Sequence, residues 1–154
     1  MECTIDWGGP NGMLFTASTG SGHVAVMDGA VDGGGHNLAP RPMEMLLAGT
    51  GGCTAYDVVL ILKRGRHAVT GCSVKLQADR ADVDPKVFTR IHFAFTVTGR
   101  NLPRAAVERA VQLSHEKYCS ASAMLEKTAE LTFSVDIVDT QEAVSYTHLR
   151  AHET

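Results

Sequence analysis

The chain has 154 residues, of which 44% are hydrophobic and 20% are charged. These values are typical of one compact globular domain that can bury a core without disulfides. The formal net charge of −3 argues against a nucleic-acid-binding protein, which needs clustered lysines and arginines. The first 40 residues contain four acidic residues and no lysine or arginine, and we expect those acids to be exposed on a glycine-rich sheet.

The N-terminal sequence MECTIDWGG lacks the basic region and apolar run of a signal peptide. The longest uninterrupted apolar segment, Val58 to Leu62, is far shorter than a membrane span. We therefore expect a cytoplasmic protein with reduced thiols and no contact with a membrane. Its four cysteines are then buried fillers, metal ligands or reactive groups rather than a disulfide framework.

Three short strands are predicted at the N-terminus, around residues 3–7, 13–18 and 23–28, because polar and apolar residues alternate there. The glycine-rich segment 28–42 is predicted to be an irregular loop. It lacks the Gly-Lys-Ser/Thr sequence and the strand-to-helix context of a phosphate-binding P-loop.

A long helix is predicted from Pro42 to about Arg64, with Gly65 ending it. Its apolar residues lie nearly all round, which indicates a central, buried helix. Strands follow at 69–79 and 87–98, then an amphipathic helix at 102–118, a short helix at 120–127 and a strand at 130–138. The order β-β-β-α-β-β-α-α-β indicates an α+β fold with a long helix against antiparallel sheet.

Residues 140–154 have no such pattern and include the sequence AVSYTHLRAHET. They are similar to the translated read-through of an adapter or a cloning scar rather than to an evolved segment. We therefore predict a single domain over residues 1–139 and a non-native tail.

Two of the cysteines are candidates for chemistry. Cys53 follows three closely spaced glycines inside the long helix, and each glycine there costs about 0.5–1 kcal/mol relative to alanine. Such a run is expected where another backbone or a substrate approaches closely. Cys119 lies between two predicted helices, where a helix N-terminus can lower the pKa of a thiol. Cys3 and Cys72 fall on apolar faces of strands and are interpreted as small hydrophobic residues.

Metal binding and hydrolase chemistry are alternative functions for these cysteines. His115 and Cys119 are four residues apart on a helix, which is zinc-ligand spacing, although no CxxC or HxxxH pair completes a site. A hydrolase is disfavoured because the sequence has no GxSxG motif. A Cys–His hydrolase built on Cys53 would need a histidine partner that the sequence does not indicate.

Four segments in the same order resemble the OsmC/Ohr family, the osmotically inducible and organic-hydroperoxide-resistance stress proteins. They are SGHVAVMDG, PMEMLLAGTGGCTAYDVVLILKRG, FTRIHFAFTVTGR and EKYCSASAMLEK, and they are most similar to the YhfA-like branch. The resemblance covers roughly residues 2–139. It implies an intertwined homodimer whose antiparallel sheets pack around long central helices.

The resemblance also implies a cysteine-based peroxidase. Cys53 would be the peroxidatic cysteine that attacks an organic or hydrogen peroxide, and Cys119 the resolving cysteine that forms a disulfide with it. An external dithiol would reduce that disulfide, and neither a cofactor nor a metal is expected. The apolar helix would supply a pocket for the alkyl part of the peroxide.

The chain departs from the family pattern at two positions. The hydroperoxide reductases have an arginine in the N-terminal sheet, held by a glutamate directly after the helix-starting proline. Here no arginine precedes Arg41, and Met43 follows Pro42 with Glu44 one position late. Nine residues turn a helix by 900°, so Glu44 points away from the side of Cys53.

Few residues could replace the missing arginine–glutamate pair. Arg41 and His23 are candidate replacements for the missing cation. Asp57, one helical turn beyond Cys53, would raise the pKa of that thiol if it were ionised. The alternative function is a non-catalytic protein that binds a hydrophobic ligand in the same dimer pocket. A third alternative is a zinc site formed by Cys53, Cys119 and His115.

Overall fold

The computed structural model describes residues 1–140, which fall into two compact units. The first unit is Met1–Ala48, and the second begins at Gly49. Each contains one three-stranded sheet, and the element order agrees with the predicted α+β class. Residues 141–154, all but the first residue of the predicted non-native tail, lie outside the described residues. The tail and the single domain over 1–139 stay predictions.

The first sheet is an antiparallel meander of strands β1 (Cys3–Trp7), β2 (Phe15–Thr19) and β3 (Val24–Met27), as the alternation predicts. The hairpin between β1 and β2 is closed by the Trp7 indole, whose Nε1 donates to the Gly12 carbonyl at 3.0 Å. Every residue of β1 is exposed in the single chain. The expectation that Cys3 is a buried hydrophobic residue is therefore wrong for this chain taken alone.

The glycine-rich loop after β3 is organised by a buried carboxylate, although the sequence led us to expect exposed acids. Asp28 is only 2% exposed and accepts hydrogen bonds from the backbone N–H groups of Gly29, His36 and Leu38. These bonds, led by that from Leu38, hold the pKa of Asp28 below its ordinary value. The loop also contains one short 3₁₀ turn, Val31–Gly33.

Helix α1 runs from Pro42 to Arg64, as predicted. The residue that ends it differs from the prediction. Arg66 has φ +60°, and the backbone N–H groups of Arg66 and His67 bond the carbonyls of Lys63 and Leu62. This is the Schellman arrangement, with Arg66 rather than Gly65 in the left-handed position.

Only one stripe of α1 is buried in the single chain, so the expectation of a helix buried all round is wrong here. The buried residues are spaced three to four apart and are Thr50, Gly51, Thr54, Val58 and Leu62. One sheet can cover only one side of a helix, which explains the stripe. Within residues 1–140, α1 is the helix long and apolar enough to cross a membrane by length and composition. Core helices of globular proteins pass the same test.

The second sheet has the order β4-β5-β6, with β4 at Ala68–Arg80, β5 at Phe88–Arg100 and β6 at Glu130–Asp139. Strands β4 and β5 form an antiparallel hairpin. Strand β6 runs parallel to β5, whereas we expected antiparallel pairing throughout. The helical segment between β5 and β6 is long enough to serve as the crossover that parallel neighbours require.

The core of the second unit is one face of β5, whose members are all at most 1% exposed: Ile91, Phe93, Phe95 and Val97. Phe93 stacks on Phe133 of β6 with ring centroids 4.8 Å apart. Helix α2 (Arg104–Leu113) is amphipathic, as predicted, and buries the stripe of Val107, Ala110 and Val111. A π turn, Ser114–Tyr118, then leads to Cys119 and to helix α3, Ser120–Leu125.

Candidate thiol site

Two cysteines and one carboxylate converge in the second unit. The Sγ atoms of Cys53 and Cys119 and a carboxylate oxygen of Asp57 all lie within 4.8 Å of one another. Cys53 and Asp57 are four residues apart on α1 and therefore share a face of the helix. Both thiols are free. Cysteines that are 66 positions apart in the sequence are thus neighbours in the fold.

The glycines before Cys53 have different surroundings. A Cβ atom on Gly51 would lie 2.7 Å from Leu76 Cδ1, so the missing side chain lets α1 approach β4 closely. A Cβ on Gly52 would meet nothing within 4 Å. The expected close approach is therefore present at Gly51, where the sheet supplies it. Gly52 faces open space in the single chain.

Cys119 is positioned by the π turn. The Cys119 backbone N–H donates to the Ser114 carbonyl at 2.7 Å, and the Ser122 backbone N–H donates to Cys119 Sγ at 3.4 Å. π turns inside helices occur often at functional sites, because the wider turn re-aims the residues beside it.

The Cys119 thiol is 2% exposed. Burial raises its pKa, the nearby Cys53 thiol adds to this effect, and the Ser122 N–H does not reverse it. We expected the helix N-terminus to lower this pKa, and that expectation is wrong because burial dominates.

A buried hydroxyl pair holds the carboxylate. Ser114 Oγ donates to Asp57 Oδ2 at 2.9 Å and also lies 2.9 Å from Thr54 Oγ1. Ser114 and Thr54 are fully buried. We expected no role in the site for either hydroxyl from the sequence. Two signals could have revealed them: Thr54 directly follows Cys53, and Ser114 is a hydroxyl residue five positions before Cys119 at the spacing of an apolar stripe.

A mostly apolar cleft begins at the carboxylate. It has a volume of about 210 Å³ and is lined by Asp57, Leu60, Ile61, Arg64, Leu113 and Tyr118. The cleft therefore combines an apolar wall with one carboxylate and one guanidinium.

The proposed substitutes for the missing cation belong to the first unit. Arg41 Nη1 lies 3.7 Å from Glu44 Oε1 and donates to Asn37 Oδ1 at 2.9 Å. His23 Nδ1 lies 3.0 Å from Ser21 Oγ. These contacts are local, and a role of Arg41, Glu44 or His23 in the chemistry stays a prediction.

The histidine of the zinc alternative contacts other groups. His115 Nε2 lies 3.7 Å from Glu126 Oε2, and its ring packs on Phe133 with centroids 4.8 Å apart. Among the described residues, the third potential ligand beside the two thiols is Asp57, not His115. Cys72 is half-buried on β4, and burial raises the pKa of its thiol. Its structural role stays a prediction.

Comparison with known families identifies the fold. Residues 34–134 match the model of the family described as OsmC-like protein. The chain belongs to the OsmC family. Protein YhfA of Escherichia coli (strain K12) is 46% identical over 138 residues, covering 90% of this chain and 98% of YhfA. The resemblance read from the sequence is thus confirmed, including the YhfA-like branch.

Solved structures support the OsmC fold. A hypothetical protein from Aquifex aeolicus VF5 superimposes with a TM-score of 0.76 at 28% identity, covering 89% of this chain and 95% of that protein. An organic hydroperoxide resistance protein OsmC from Legionella pneumophila gives a TM-score of 0.62 at 19% identity, covering 88% and 95%. This last similarity concerns the fold alone.

Proposed function

We propose that this OsmC-family protein is a thiol-dependent peroxide reductase that acts through Cys53 and Cys119. The observation that supports the proposal is the approach of the two Sγ atoms to within 4.8 Å, with Cys53 only half-buried and Cys119 buried. A disulfide needs this separation to close to about 2.05 Å. Organic hydroperoxide resistance proteins with the same fold are consistent with peroxide chemistry.

The proposed reaction has three steps. The Cys53 thiolate attacks the terminal oxygen of ROOH, the O–O bond breaks, and Cys53 becomes a sulfenic acid while RO⁻ takes a proton and leaves as ROH. The Cys119 thiol then condenses with the sulfenic acid, forming the disulfide and releasing water. An external dithiol reduces the disulfide by exchange and is itself oxidised, which restores both thiols.

The surroundings suit these steps. Cys119 is buried, and burial raises the pKa of its thiol, which disfavours its direct attack on a peroxide and leaves that role to the half-buried Cys53. Asp57, oriented by Ser114, is the nearest carboxylate to accept the Cys53 proton and return it to the leaving alkoxide. The cleft that begins at Asp57 would take the alkyl part of an organic peroxide. In the reducing cytoplasm, both cysteines would start as thiols.

Single-turnover oxidation tests the proposal. Reduced protein is mixed with cumene hydroperoxide or hydrogen peroxide, and its free thiols are titrated over time. We expect the wild type to lose two thiols per chain, Cys53→Ser to lose none at the site, and Cys119→Ser to stop at a sulfenic acid. If the wild-type thiols persist for many minutes in excess peroxide, the peroxidase is excluded. Binding of a hydrophobic ligand in the cleft then becomes the function to test.

We further propose a homodimer formed through the uncovered side of α1. An apolar groove of about 410 Å³ lies on that side, lined by Gly52, Ala55, Tyr56, Val59, Leu60, Lys63 and Cys72. Tyr56 is 71% exposed in the single chain, and several apolar residues of the first sheet are also exposed. Sedimentation equilibrium should show a dimer that Tyr56→Asp weakens. Val83→Asp, at an equally exposed turn residue, should not weaken it.

A further inference from the structure

We infer that the reduced site binds one zinc ion through the Cys53 and Cys119 thiolates and the Asp57 carboxylate. This goes beyond the proposed reductase, because metal binding needs only the reduced thiols and no peroxide. The three ligand atoms already lie within 4.8 Å of one another, and they come from two separate elements of the second unit. No other group of three or more potential ligands is brought together in residues 1–140.

The separations fit a tetrahedral ion. Two thiolates bound to zinc at about 2.3 Å are separated by roughly 3.8 Å, so the present upper limit needs to shrink by at most about 1 Å. Small side-chain rotations of Cys53 and Asp57, both half-buried, would achieve this. Two sulfur ligands select a thiophilic dication over magnesium or calcium, which prefer oxygen ligands throughout.

Hydrogen bonding already orients the Asp57 carboxylate for metal binding. Ser114 Oγ donates to Asp57 Oδ2 at 2.9 Å, and Ser114 is in turn held by Thr54. Hydrogen bonds of this kind fix the orientation of ligating carboxylates in metal sites and raise affinity. With three protein ligands, the fourth position of a tetrahedral ion would be left for water or another external ligand. Three protein ligands and one open position form the arrangement of a catalytic zinc site.

Metal binding and disulfide formation would exclude each other. Binding consumes both thiolates and releases two thiol protons, whereas oxidation joins the same sulfur atoms in a bond. Zinc would therefore protect the thiols from oxidants, and oxidation would release the ion. The site would switch between a metal-bound and a disulfide form.

Cobalt(II) substitution tests the inference on the full chain. Reduced wild-type protein is titrated with Co²⁺ without oxygen, and thiolate-to-cobalt charge transfer is followed by absorbance. Zinc affinity is then measured by competition with a chromophoric chelator. We expect one ion per chain in the reduced protein and none after oxidation with diamide, which forms the disulfide without peroxide. A failed peroxidase assay leaves this result intact, so the two proposals fail separately.

Matched variants identify the ligands. Cys53→Ser, Cys119→Ser and Asp57→Asn should each weaken zinc binding by at least about 10-fold. Cys72→Ser and His115→Ala should leave it unchanged, with far-UV circular dichroism verifying the fold of every variant. The inference is overturned by an absence of charge transfer in reduced wild type, by charge transfer that survives loss of both site cysteines, or by full zinc affinity in Asp57→Asn.

Discussion

The thiol site and the two strand cysteines contain the same functional group in different surroundings. Cys53 and Cys119 lie within 4.8 Å of each other and of a carboxylate, because α1 and the π turn meet there. Cys3 is exposed on β1, and Cys72 is half-buried on β4. Each strand cysteine follows the alternation of its strand, whereas the site cysteines depend on contacts distant in sequence.

The difference in surroundings predicts different roles for the strand cysteines and the site cysteines. We expect a strand cysteine to tolerate replacement by another small residue, because Cys3 is exposed in the single chain and Cys72 would contribute only its volume. A cysteine placed beside a second thiol can form a disulfide or share a metal ion, and neither is available to a single thiol. The predictions below test whether the strand cysteines and the site cysteines differ in this way.

The largest effect is expected when the two strand cysteines and the two site cysteines are replaced by serine in separate variants. The double variant Cys3→Ser/Cys72→Ser should still lose two thiols per chain to peroxide at the wild-type rate. The double variant Cys53→Ser/Cys119→Ser should oxidise its remaining thiols more slowly by on the order of 100-fold or more, because they lack a neighbouring thiol and carboxylate. Stopped-flow mixing with thiol titration measures both rates. Equal rates in the two double variants would remove the distinction between the pairs.

A smaller effect is expected from the buried hydroxyl that holds the carboxylate. Ser114→Ala removes the donor to Asp57 and the partner of Thr54, both in buried or half-buried surroundings. An unsatisfied buried polar group costs about 1–3 kcal/mol, so the free energy of unfolding should fall by that amount. Urea denaturation followed by circular dichroism measures it.

The matched control is Ser73→Ala, at an exposed position of β4. This change should alter the free energy of unfolding by no more than about 0.5 kcal/mol. Comparable losses in the two variants would mean that the Ser114 hydrogen bonds do not contribute specially to stability.

Most of the fold could be predicted from local patterns. Alternation located the strands, and Pro42 together with the apolar run located α1. The same patterns could not give the parallel pairing of β6 with β5, because strand direction depends on where a crossover returns the chain. Nor could they give the one-sided burial of α1, since apolar residues all round a helix are equally typical of a core and of an interface.

The site was predicted in part. The family resemblance supplied Cys53 and Cys119, and helix spacing put Asp57 beside Cys53. The direction of the pKa shift of Cys119 was wrong, because a sequence shows the helix N-terminus but not the burial that outweighs it. Ser114 was missed as a polar contact, because its helical spacing from Val107 and Val111 indicates burial and says nothing about the group it meets.

The smallest effect concerns the strand thiol Cys72 itself. Burial raises its pKa, so the folded chain keeps this proton at a pH where the unfolded chain begins to lose it. In Cys53→Ser/Cys119→Ser, the rate of Cys72 alkylation by iodoacetamide should therefore rise with pH at a higher midpoint in the folded protein than in urea. Mass spectrometry of the alkylated peptides separates Cys72 from Cys3.

The raised pKa of Cys72 also makes the free energy of unfolding depend on pH. The contribution of the Cys72 thiol is fully present below the ordinary thiol pKa of about 8.5, and it declines as the pH rises through the raised value of the folded state. Cys72→Ala should flatten this alkaline loss of stability, while Cys3→Ala, on an exposed strand, should leave it as in the parent. A steeper loss in Cys72→Ala would mean that the Cys72 thiol is not the protonated, partly buried group described above.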